Sequence, residues 1–378
     1  MNLKNTNFWC TNSILHTFLI EKRCFFVCQG RKIIILQQLN EKKVKKIAIA
    51  LVVCACLVAC TNNNNNNGNV QPKNEPKNVV VPSFDGQKAY DYVKHQTDFG
   101  PRVAGTPQHD SCGVWLVETL KGIADTVFVQ DFRTRIYTGK GIDGTNIIAS
   151  FNPKAAKRIV LCSHWDSRPF ADFDSDENMH KTPIDGANDG ASGVGVLLAL
   201  AEVMHNNPIN EKLGIDIVFF DLEDYGPPQG ESERFYDDNN NYWALGSQYW
   251  SAQPHKANYR ANYGILLDMV GATEPNFEKE YFSFRYASFV CDKLWGIAQN
   301  LGYGNCFVNA IGDPVSDDHL PMNELAGIPT VDLIDLRPNS SNGTFPEMWH
   351  TTADNIDCID VNTLQMVGNV LTHLIYNE

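Results

Sequence analysis

Five short apolar runs constrain the fold of this chain more than any other feature of its sequence. They are rich in Val and Ile, as is typical of strands that are buried on both faces of a sheet. The runs are Asn146–Phe151, Arg158–Ser163, Ile215–Asp221, Tyr263–Met269 and Thr330–Leu336. Helices are predicted between and around them, at Gly86–Gln96, Asp110–Ile123, Ser192–His205, Tyr286–Asn300 and Val361–Tyr376. This alternation predicts an α/β domain with a largely parallel sheet over residues 83–378.

The sequence before residue 60 has the features of an export signal. A basic cluster at Lys42–Lys46 precedes an uncharged apolar run, Ile47–Ala59, which is too short to span a bilayer comfortably. The run leads into Cys60 through a Leu-Val-Ala-Cys sequence. This sequence resembles the lipobox of bacterial lipoproteins, in which the cysteine is acylated and becomes the first mature residue. A buried apolar helix with an incidental cysteine is the alternative interpretation.

Residues 60–82 are predicted to be a flexible tether. A run of asparagines, Asn62–Asn67, and a stretch rich in Pro, Lys and Asn follow Cys60, and such a segment cannot bury enough apolar surface to fold. Residues 1–59 are expected to form an N-terminal extension and a lipoprotein signal peptide, with translation starting closer to the basic cluster. Because Thr61 does not resemble a retention signal for the inner membrane, the expected location is periplasmic, lipid-anchored at the outer membrane.

Charge and cysteine usage narrow the possible partners and ligands. The net charge is −13, but residues 1–60 hold nine Lys and Arg against two Asp and Glu, which leaves 22 against 42, or −20, for the rest. We therefore expect no nucleic acid partner. A monomer is expected as well, independently of the charge. None of the five cysteines after residue 83 forms a CxxC pair, although one disulfide remains possible. Any metal is thus expected to be held by His, Asp and Glu.

Polar residues cluster where the predicted strands end. His164 and Asp166 follow one strand, Glu223 and Asp224 follow the next, and Asp268 closes a third. In open α/β sheets the carboxyl ends of the strands form the edge that binds ligands, so these side chains should converge. Each is also typical of an ordinary turn, cap or solvated loop when taken singly. Together, imidazoles and carboxylates at successive strand ends indicate a site for a divalent cation.

Six motifs carry a resemblance to a known family. They are HWD at 164–166, GANDGASG at 186–193, FFDLED at 219–224, LLD at 266–268, DDH at 317–319 and WHT at 349–351. This series resembles the zinc aminopeptidase superfamily and, within it, the glutaminyl cyclases, over nearly all of residues 85–378. The resemblance implies a single domain with a central, largely parallel mixed β-sheet flanked by α-helices.

The resemblance also implies roles for individual residues. One zinc ion would be bound by Asp189, Asp224 and His350, which leaves the open fourth position that is typical of a catalytic site. Glu223 matches the proton-transferring glutamate of the family. Asp224 departs from the commonest pattern, because Asp stands where Glu is usual. Asp268 and Asp317 match two further active-site carboxylates, and we hypothesise that they share a proton.

Two enzymatic interpretations remain open at this stage. In a cyclase, the α-amine of an N-terminal Gln in a peptide or protein closes onto its own γ-amide and expels ammonia. Trp349, directly before His350, would wall the substrate pocket, as it does in glutaminyl cyclases. Trp243, in the aromatic stretch Tyr225–Trp243, is the candidate for a second wall, although a plain core aromatic is an equal interpretation.

The alternative enzyme is a di-zinc aminopeptidase, in which two metals activate a water and Glu223 is its general base. His164 and Asp268 would then hold a second ion, with Asp189 as the bridge. A non-catalytic, tethered peptide-binding protein is a third hypothesis, and the intact Glu223 and complete ligand triad argue against it. The cyclase is preferred because of Trp349 and the DDH motif, which resembles the cyclase version.

Overall fold

The computed structural model describes residues 25–29, 32–36, 80–230 and 241–378. The chain divides into two compact units, Met1–Pro76 and Lys77–Glu378. In the first unit the described residues form an antiparallel pair of strands, β1 (Phe25–Gln29) and β2 (Lys32–Leu36). The predicted signal sequence and Cys60, with the tether as far as residue 79, lie outside the described residues. Within the described part of the chain, no helix combines the length and apolar character needed to cross a membrane.

The second unit alternates strands and helices over residues 86–376. Its strands are β3 (Thr126–Arg135), β4 (Gly141–Phe151), β5 (Lys157–His164), β6 (Leu213–Phe220), β7 (Tyr263–Asp268), β8 (Phe277–Lys279), β9 (Phe307–Ile311) and β10 (Thr330–Ile334). Its α-helices are α1 (Gly86–Asp98), α2 (Pro107–Lys121), α3 (Ala191–Asn206), α4 (Leu245–Ala252), α5 (Tyr281–Asn300), α6 (His319–Glu324) and α7 (Val361–Tyr376). Short 3₁₀ turns occur at Glu177–Met179 and Ile356–Cys358.

Six strands form the central sheet, in the order β10-β7-β5-β6-β4-β3. The first four are parallel to one another, whereas β4 runs antiparallel to β6 and β3 antiparallel to β4. Strands β8 and β9 form a separate parallel pair. The prediction of an α/β domain with a central, largely parallel mixed sheet is therefore confirmed.

Helices cover both faces of this sheet, as the alternation along β5 shows. Ile159 and Leu161 face a large core that α1, α2, α3, α5 and α7 share, whereas Val160 and Cys162 face a smaller core with α4 and α6. Strands β5, β6, β7 and β10 are buried along almost their whole length, so they present no face to solvent. The predicted site residues accordingly lie at the strand ends and in the loops that follow them.

Several element boundaries differ from the sequence-based expectation, for local reasons. Helix α2 begins at Pro107 instead of Asp110, because Thr106 caps it by accepting the backbone N–H of His109 and proline suits the first helical position. Helix α5 begins at Tyr281 instead of Tyr286, because the Glu280 carboxylate accepts two backbone N–H groups of its first turn. The five cysteines of this unit are free thiols.

Candidate active site

The sheet register brings the predicted site residues to one edge. His164, the last residue of β5, pairs with Phe220 at the end of β6, so the Glu223 and Asp224 that follow β6 emerge beside it. Asp268 ends β7 opposite Ile334, the last residue of β10. Asp189 stands just before α3, which packs against β5 and β7. The strand ends and one helix start thus converge as the sequence indicated.

Asp189, Asp224 and His350 form a buried group of metal-ligating side chains. One ligand atom of each lies within 4.8 Å of the others. The Nε2 of His350 is 3.2 Å from Oδ1 of Asp224 and 3.6 Å from Oδ2 of Asp189. Oδ2 of Asp224 is buried without a hydrogen-bond partner, which leaves it available to a cation. Two carboxylates and an imidazole are a donor set that fits zinc.

A second group of potential ligands shares Asp189 with the first. The Nε2 of His164 lies 2.9 Å from Oδ1 of Asp189 and 3.2 Å from Oδ1 of Asp268. The two oxygens of Asp189 therefore face different imidazoles, His164 on one side and His350 on the other. Such a bridging carboxylate is compatible with one metal or with two.

Carboxylates hold the backbone of both ligand-bearing loops. Asp354 accepts the N–H of Asn188 at 2.7 Å and that of Asp189 at 3.2 Å. Asp166 accepts the N–H groups of Glu223 and Asp224, at 3.1 and 3.3 Å. Because both carboxylates are buried, these bonds fix the loops more firmly than a solvated turn would be fixed.

Three carboxyl groups at the site hold their protons more tightly than usual. Glu223 is only 8% exposed, and its burial, together with the charge of Asp317, raises its pKa well above the ordinary value. Burial and the charge of Asp189 raise the pKa of Asp268 to about 8. Burial also raises the pKa of Asp317. Carboxyl groups of this kind can carry a proton at neutral pH, which is what a general acid or a proton shuttle requires.

Aromatic rings stand against His350, a potential metal ligand. The Trp349 ring stacks on it with centroids 3.7 Å apart, and Phe173 and Phe345 pack against Trp349 at 4.4 and 4.7 Å. The Trp243 ring lies nearly parallel to His350, at 10° and 6.4 Å. Both tryptophans that the sequence singled out therefore lie beside the metal-ligating group, and both are half-buried.

The backbone takes an uncommon conformation at three places in the site. Leu222, Met269 and His350 have φ values of +57°, +50° and +54°, in the left-handed region that non-glycine residues seldom occupy. Leu222 precedes Glu223 and Met269 follows Asp268, while His350 is itself a potential metal ligand. Such conformations cost free energy, and they persist where the surrounding structure imposes them.

Comparison with known proteins decides the family. The sequence pattern of peptidase family M28 matches residues 146–375, which include every ligand and carboxylate described above. The chain belongs to peptidase family M28.

Solved structures and curated proteins resemble this M28 chain closely. A glutaminyl cyclase of Bacteroides thetaiotaomicron, bound to N-acetylhistamine, is 47% identical; the match covers 79% of this chain and 100% of that one, with a TM-score of 0.74. A Zn-dependent exopeptidase from Parabacteroides distasonis is 43% identical with the same coverage and a TM-score of 0.76. The glutaminyl-peptide cyclotransferase of Drosophila melanogaster is 27% identical over 292 residues, covering 72% of this chain and 75% of the relative. The resemblance inferred from the six motifs is thereby confirmed.

The M28 site also contains residues to which the sequence analysis gave no role. Asp332 lies inside the apolar strand β10, fully buried, with Oδ2 3.7 Å from Nδ1 of His319. Asp317, His319 and Asp332 form a third group with ligand atoms within 4.8 Å of one another. The sequence feature that could have indicated this group is Asp332 itself, an acidic residue in the middle of a predicted buried strand.

Two further residues orient His350 from behind and were likewise missed. Oδ1 of Asp172 lies 3.5 Å from Nδ1 of His350, so that Nε2 points toward the carboxylates. The guanidinium of Arg168 donates to both oxygens of Asp172, at 2.8 and 2.6 Å. No pattern in the sequence separates this pair from an ordinary Arg and Asp four residues apart in a loop.

Proposed function

We propose that this M28 chain is a glutaminyl-peptide cyclotransferase, which converts the N-terminal Gln of peptides or proteins to pyroglutamate and releases ammonia. The observation that carries the proposal is the position of Glu223, a buried carboxyl of raised pKa directly before the ligand Asp224. The relatives that bear the name glutaminyl cyclase support it.

The reaction needs one proton to move and no external water. The α-amine attacks the γ-carbonyl carbon, a C–N bond forms, and the bond from that carbon to the amide nitrogen breaks. One proton must pass from the amine to the departing nitrogen, so that ammonia leaves. Glu223 suits this transfer, because burial raises its pKa and so strengthens it as a proton acceptor, and the same carboxyl can then return the proton.

We assign the metal to Asp189, Asp224 and His350, with one zinc ion per chain. Bound there, zinc would supply Lewis-acid polarisation of the γ-carbonyl. The buried and unpartnered Oδ2 of Asp224 supports this assignment. The chain's own contribution is to hold the three ligands convergent through Asp354, Asp166 and the residues behind His350.

Asp268 and Asp317 are proposed to share a proton beside the substrate. Both carboxyl groups have raised pKa values, and the charge of Asp317 contributes to the shift at Asp268. A shared proton lets the pair both accept from and donate to the substrate amide. We expect Asp317→Asn to lower kcat for a Gln-initiated peptide; full activity in that variant would contradict this role.

The aromatic rings are proposed to form the substrate pocket. Trp349, backed by Phe173 and Phe345, and Trp243, which lies beside the same imidazole, would enclose the folded glutamine side chain and exclude water. Holding amine and amide together in this way makes the ring closure effectively unimolecular. Exclusion of water also disfavours hydrolysis of the amide.

A di-zinc aminopeptidase is the second candidate, favoured by one observation. His164, Asp189 and Asp268 form a second ligand group, and Asp189 faces both groups. Incubation with a Gln-initiated peptide separates the candidates: release of ammonia indicates the cyclase, release of a free N-terminal residue indicates the peptidase, and no change indicates a binding protein.

Metal analysis of two matched variants tests the stoichiometry. We expect His350→Asn to abolish zinc binding, because it removes a ligand of the single ion. His164→Asn should retain one zinc per chain. Two ions per parent chain, with one lost in each variant, would favour the di-zinc enzyme.

We further propose that the protein is exported, lipid-anchored through Cys60 in the periplasm, and monomeric. The basic cluster, the short apolar run and the Asn-rich tether support the export and anchor. Mass spectrometry of the membrane fraction should find an acylated N-terminal peptide that begins at Cys60. Cys60→Ser should release the protein from that fraction, and an intact peptide beginning at Met1 would contradict the processing.

A further inference from the structure

Arg168 is a buried cation in direct contact with the assembled site. It is 1% exposed, although nothing in the proposed reaction requires it. Its Nη1 donates to both the backbone carbonyl and Oδ1 of Asp224, each at 3.2 Å. Since Asp166 accepts the N–H of the same residue, Asp224 is held at its N–H, its carbonyl and its carboxylate.

The same guanidinium reaches a second metal ligand through one carboxylate. Its Nε and Nη2 form a fork on Asp172, at 2.8 and 2.6 Å, and Asp172 faces Nδ1 of His350 at 3.5 Å. Two of the three proposed zinc ligands, Asp224 and His350, are therefore oriented by one side chain. A planar fork with donors in fixed directions can do this, whereas an ammonium group cannot.

The face of the guanidinium contacts the pocket wall. The central carbon of Arg168 lies 4.8 Å from the centroid of the Trp243 ring, which is the geometry of a cation–π contact. That ring lies parallel to His350 and packs on Gly226, where an added Cβ would stand 2.1 Å from the indole. Trp243 is thus confined between a cation, a glycine and the metal-ligating imidazole.

Two features of the site account for a buried guanidinium at Arg168: the charge of the nearby carboxylates and the short side chain of Asp224. Three buried carboxylates, Asp172, Asp189 and Asp224, are balanced by one guanidinium and one divalent cation when His350 is neutral. In addition, the side chain of Asp224 is one methylene shorter than that of Glu, so neighbouring residues must orient its carboxylate. Arg168 engages Oδ1 and leaves Oδ2 without a hydrogen-bond partner, so the Asp224 carboxylate would keep one oxygen available to a metal.

From these contacts we infer that Arg168 is a positioning residue, which holds Asp224, His350 and the Trp243 indole in one arrangement and so sets zinc affinity and substrate fit together. This inference rests on the proposed function only for the substrate, because the zinc site can be measured without turnover. Positioning by the guanidinium and simple charge balance also predict different zinc affinities for the Arg168→Lys variant.

Zinc affinity is the decisive measurement, made by competition with a chelator at fixed pH. If Arg168 positions the ligands, Arg168→Lys and Arg168→Gln should both weaken zinc binding, by about 10- to 100-fold. If only its charge mattered, the lysine variant would match the parent and the glutamine variant would bind zinc more tightly. Parent-like affinity in Arg168→Lys overturns the inference, whether or not the protein cyclises glutamine.

A matched control is available in Arg337→Lys. Arg337 also forks onto a buried carboxylate, that of Asp335, but makes no contact with the site. Its substitution should leave zinc affinity within twofold of the parent. Thermal unfolding of the zinc-free proteins checks that the variants fold.

Two further measurements keep the inference testable if substitution of Arg168 prevents folding. Asp172→Asn removes the fork while conserving shape, and it should weaken zinc binding in the same range; unchanged affinity would overturn the inference. Arg168→Lys and Trp243→Phe should each raise KM for a Gln-initiated peptide, and the double variant should show less than the product of the two effects. Independent effects on KM would contradict the link to the pocket wall.

Discussion

At the scale of single residues, the site depends on carboxyl groups whose surroundings assign them different tasks. Asp354 and Asp166 accept backbone N–H groups and hold the loops of Asp189 and Asp224, whereas Glu223 stands directly before Asp224 and has a raised pKa. Burial and neighbours thus suit one carboxyl group to accepting backbone hydrogen bonds and another to the proposed proton transfer.

The proposed proton-carrying role of Glu223 can be tested by a substitution that removes its titratable proton and keeps the size of the side chain. Glu223→Gln should lower kcat for ammonia release by about 100- to 10,000-fold, because the amide cannot pass a proton between the two nitrogens. Zinc content and KM should stay within a few-fold of the parent. Glu118→Gln, on the exposed side of α2, serves as the control and should leave kcat unchanged.

At the scale of elements, helix α3 is the part that most closely links the fold to the site. It starts directly after Asp189 and packs so tightly on the sheet that a Cβ on Gly193 would lie 2.4 Å from both the Leu267 carbonyl and the Ser163 hydroxyl. The register of this helix against β5 and β7 therefore sets the position of Asp189.

Two glycine substitutions measure this close approach. Gly193→Ala should lower the free energy of unfolding by about 1–3 kcal/mol, because backbone and side-chain atoms must move to admit a methyl group. Gly296→Ala in α5 should instead raise it by about 0.5–1 kcal/mol, since an added Cβ meets nothing within 4 Å there. Urea unfolding of both variants gives the comparison; equal effects would contradict the packing argument.

Strands that are buried on both faces were predictable from sequence, whereas the partly exposed β3 was not. The runs that became β5, β6, β7 and β10 are mainly apolar, so their strands and the polar residues after them could be located. Strand β3 was missed because it is an outer strand of the sheet and six of its ten residues are polar.

The residues that hold the site in place, such as Asp354 and Arg168, could not be predicted from sequence for a different reason. Their contacts join distant parts of the chain: Asp354 bonds to Asn188 across 166 residues, and Arg168 bonds to Asp224 across 56. No local pattern carries such information. The strand-end rule depends only on local features and located Asp224, whereas Asp189 and His350 were assigned as ligands through the family resemblance.

At the scale of the whole molecule, the ligands come from residues 189 to 350, so bound zinc should stabilise the entire domain. At a free zinc concentration 100-fold above Kd, binding contributes about 2.7 kcal/mol, and chelation should lower Tm by roughly 5 °C. His350→Asn should abolish the difference between the zinc-loaded and chelated forms. A chelator effect that persisted in this variant would place the stabilising metal elsewhere.

The opposite edge of the sheet contains a buried ion pair that should govern acid stability. Arg158 forks onto Asp216 at 2.6 and 2.8 Å, and Tyr259 donates to the same carboxylate. Burial alone would raise the pKa of Asp216, but the bonds from Arg158, Ser150 and Tyr259 lower it below its ordinary value. Stabilisation from a carboxylate of lowered pKa is complete above the unfolded value of about 3.9 and is lost as the pH falls below it.

Asp216→Asn tests this dependence. At pH 7 the substitution should cost about 3–5 kcal/mol of unfolding free energy, because it leaves the Arg158 guanidinium buried without its partner charge. The gap between variant and parent should narrow below pH 4. Urea unfolding from pH 7 to pH 3.5 measures this difference in unfolding free energy. A difference that grows as the pH falls would contradict the lowered pKa of Asp216.

The left-handed backbone at His350 has an evolutionary consequence. Glycine and asparagine fit that conformation better than histidine does, and neither replaces its imidazole. A library that samples every residue at position 350, compared in the zinc-free state, should therefore contain variants that resist urea better than the parent and yet are inactive. This inverse relation between zinc-free stability and turnover would mark the position as maintained by selection for chemistry, against the preference of the fold.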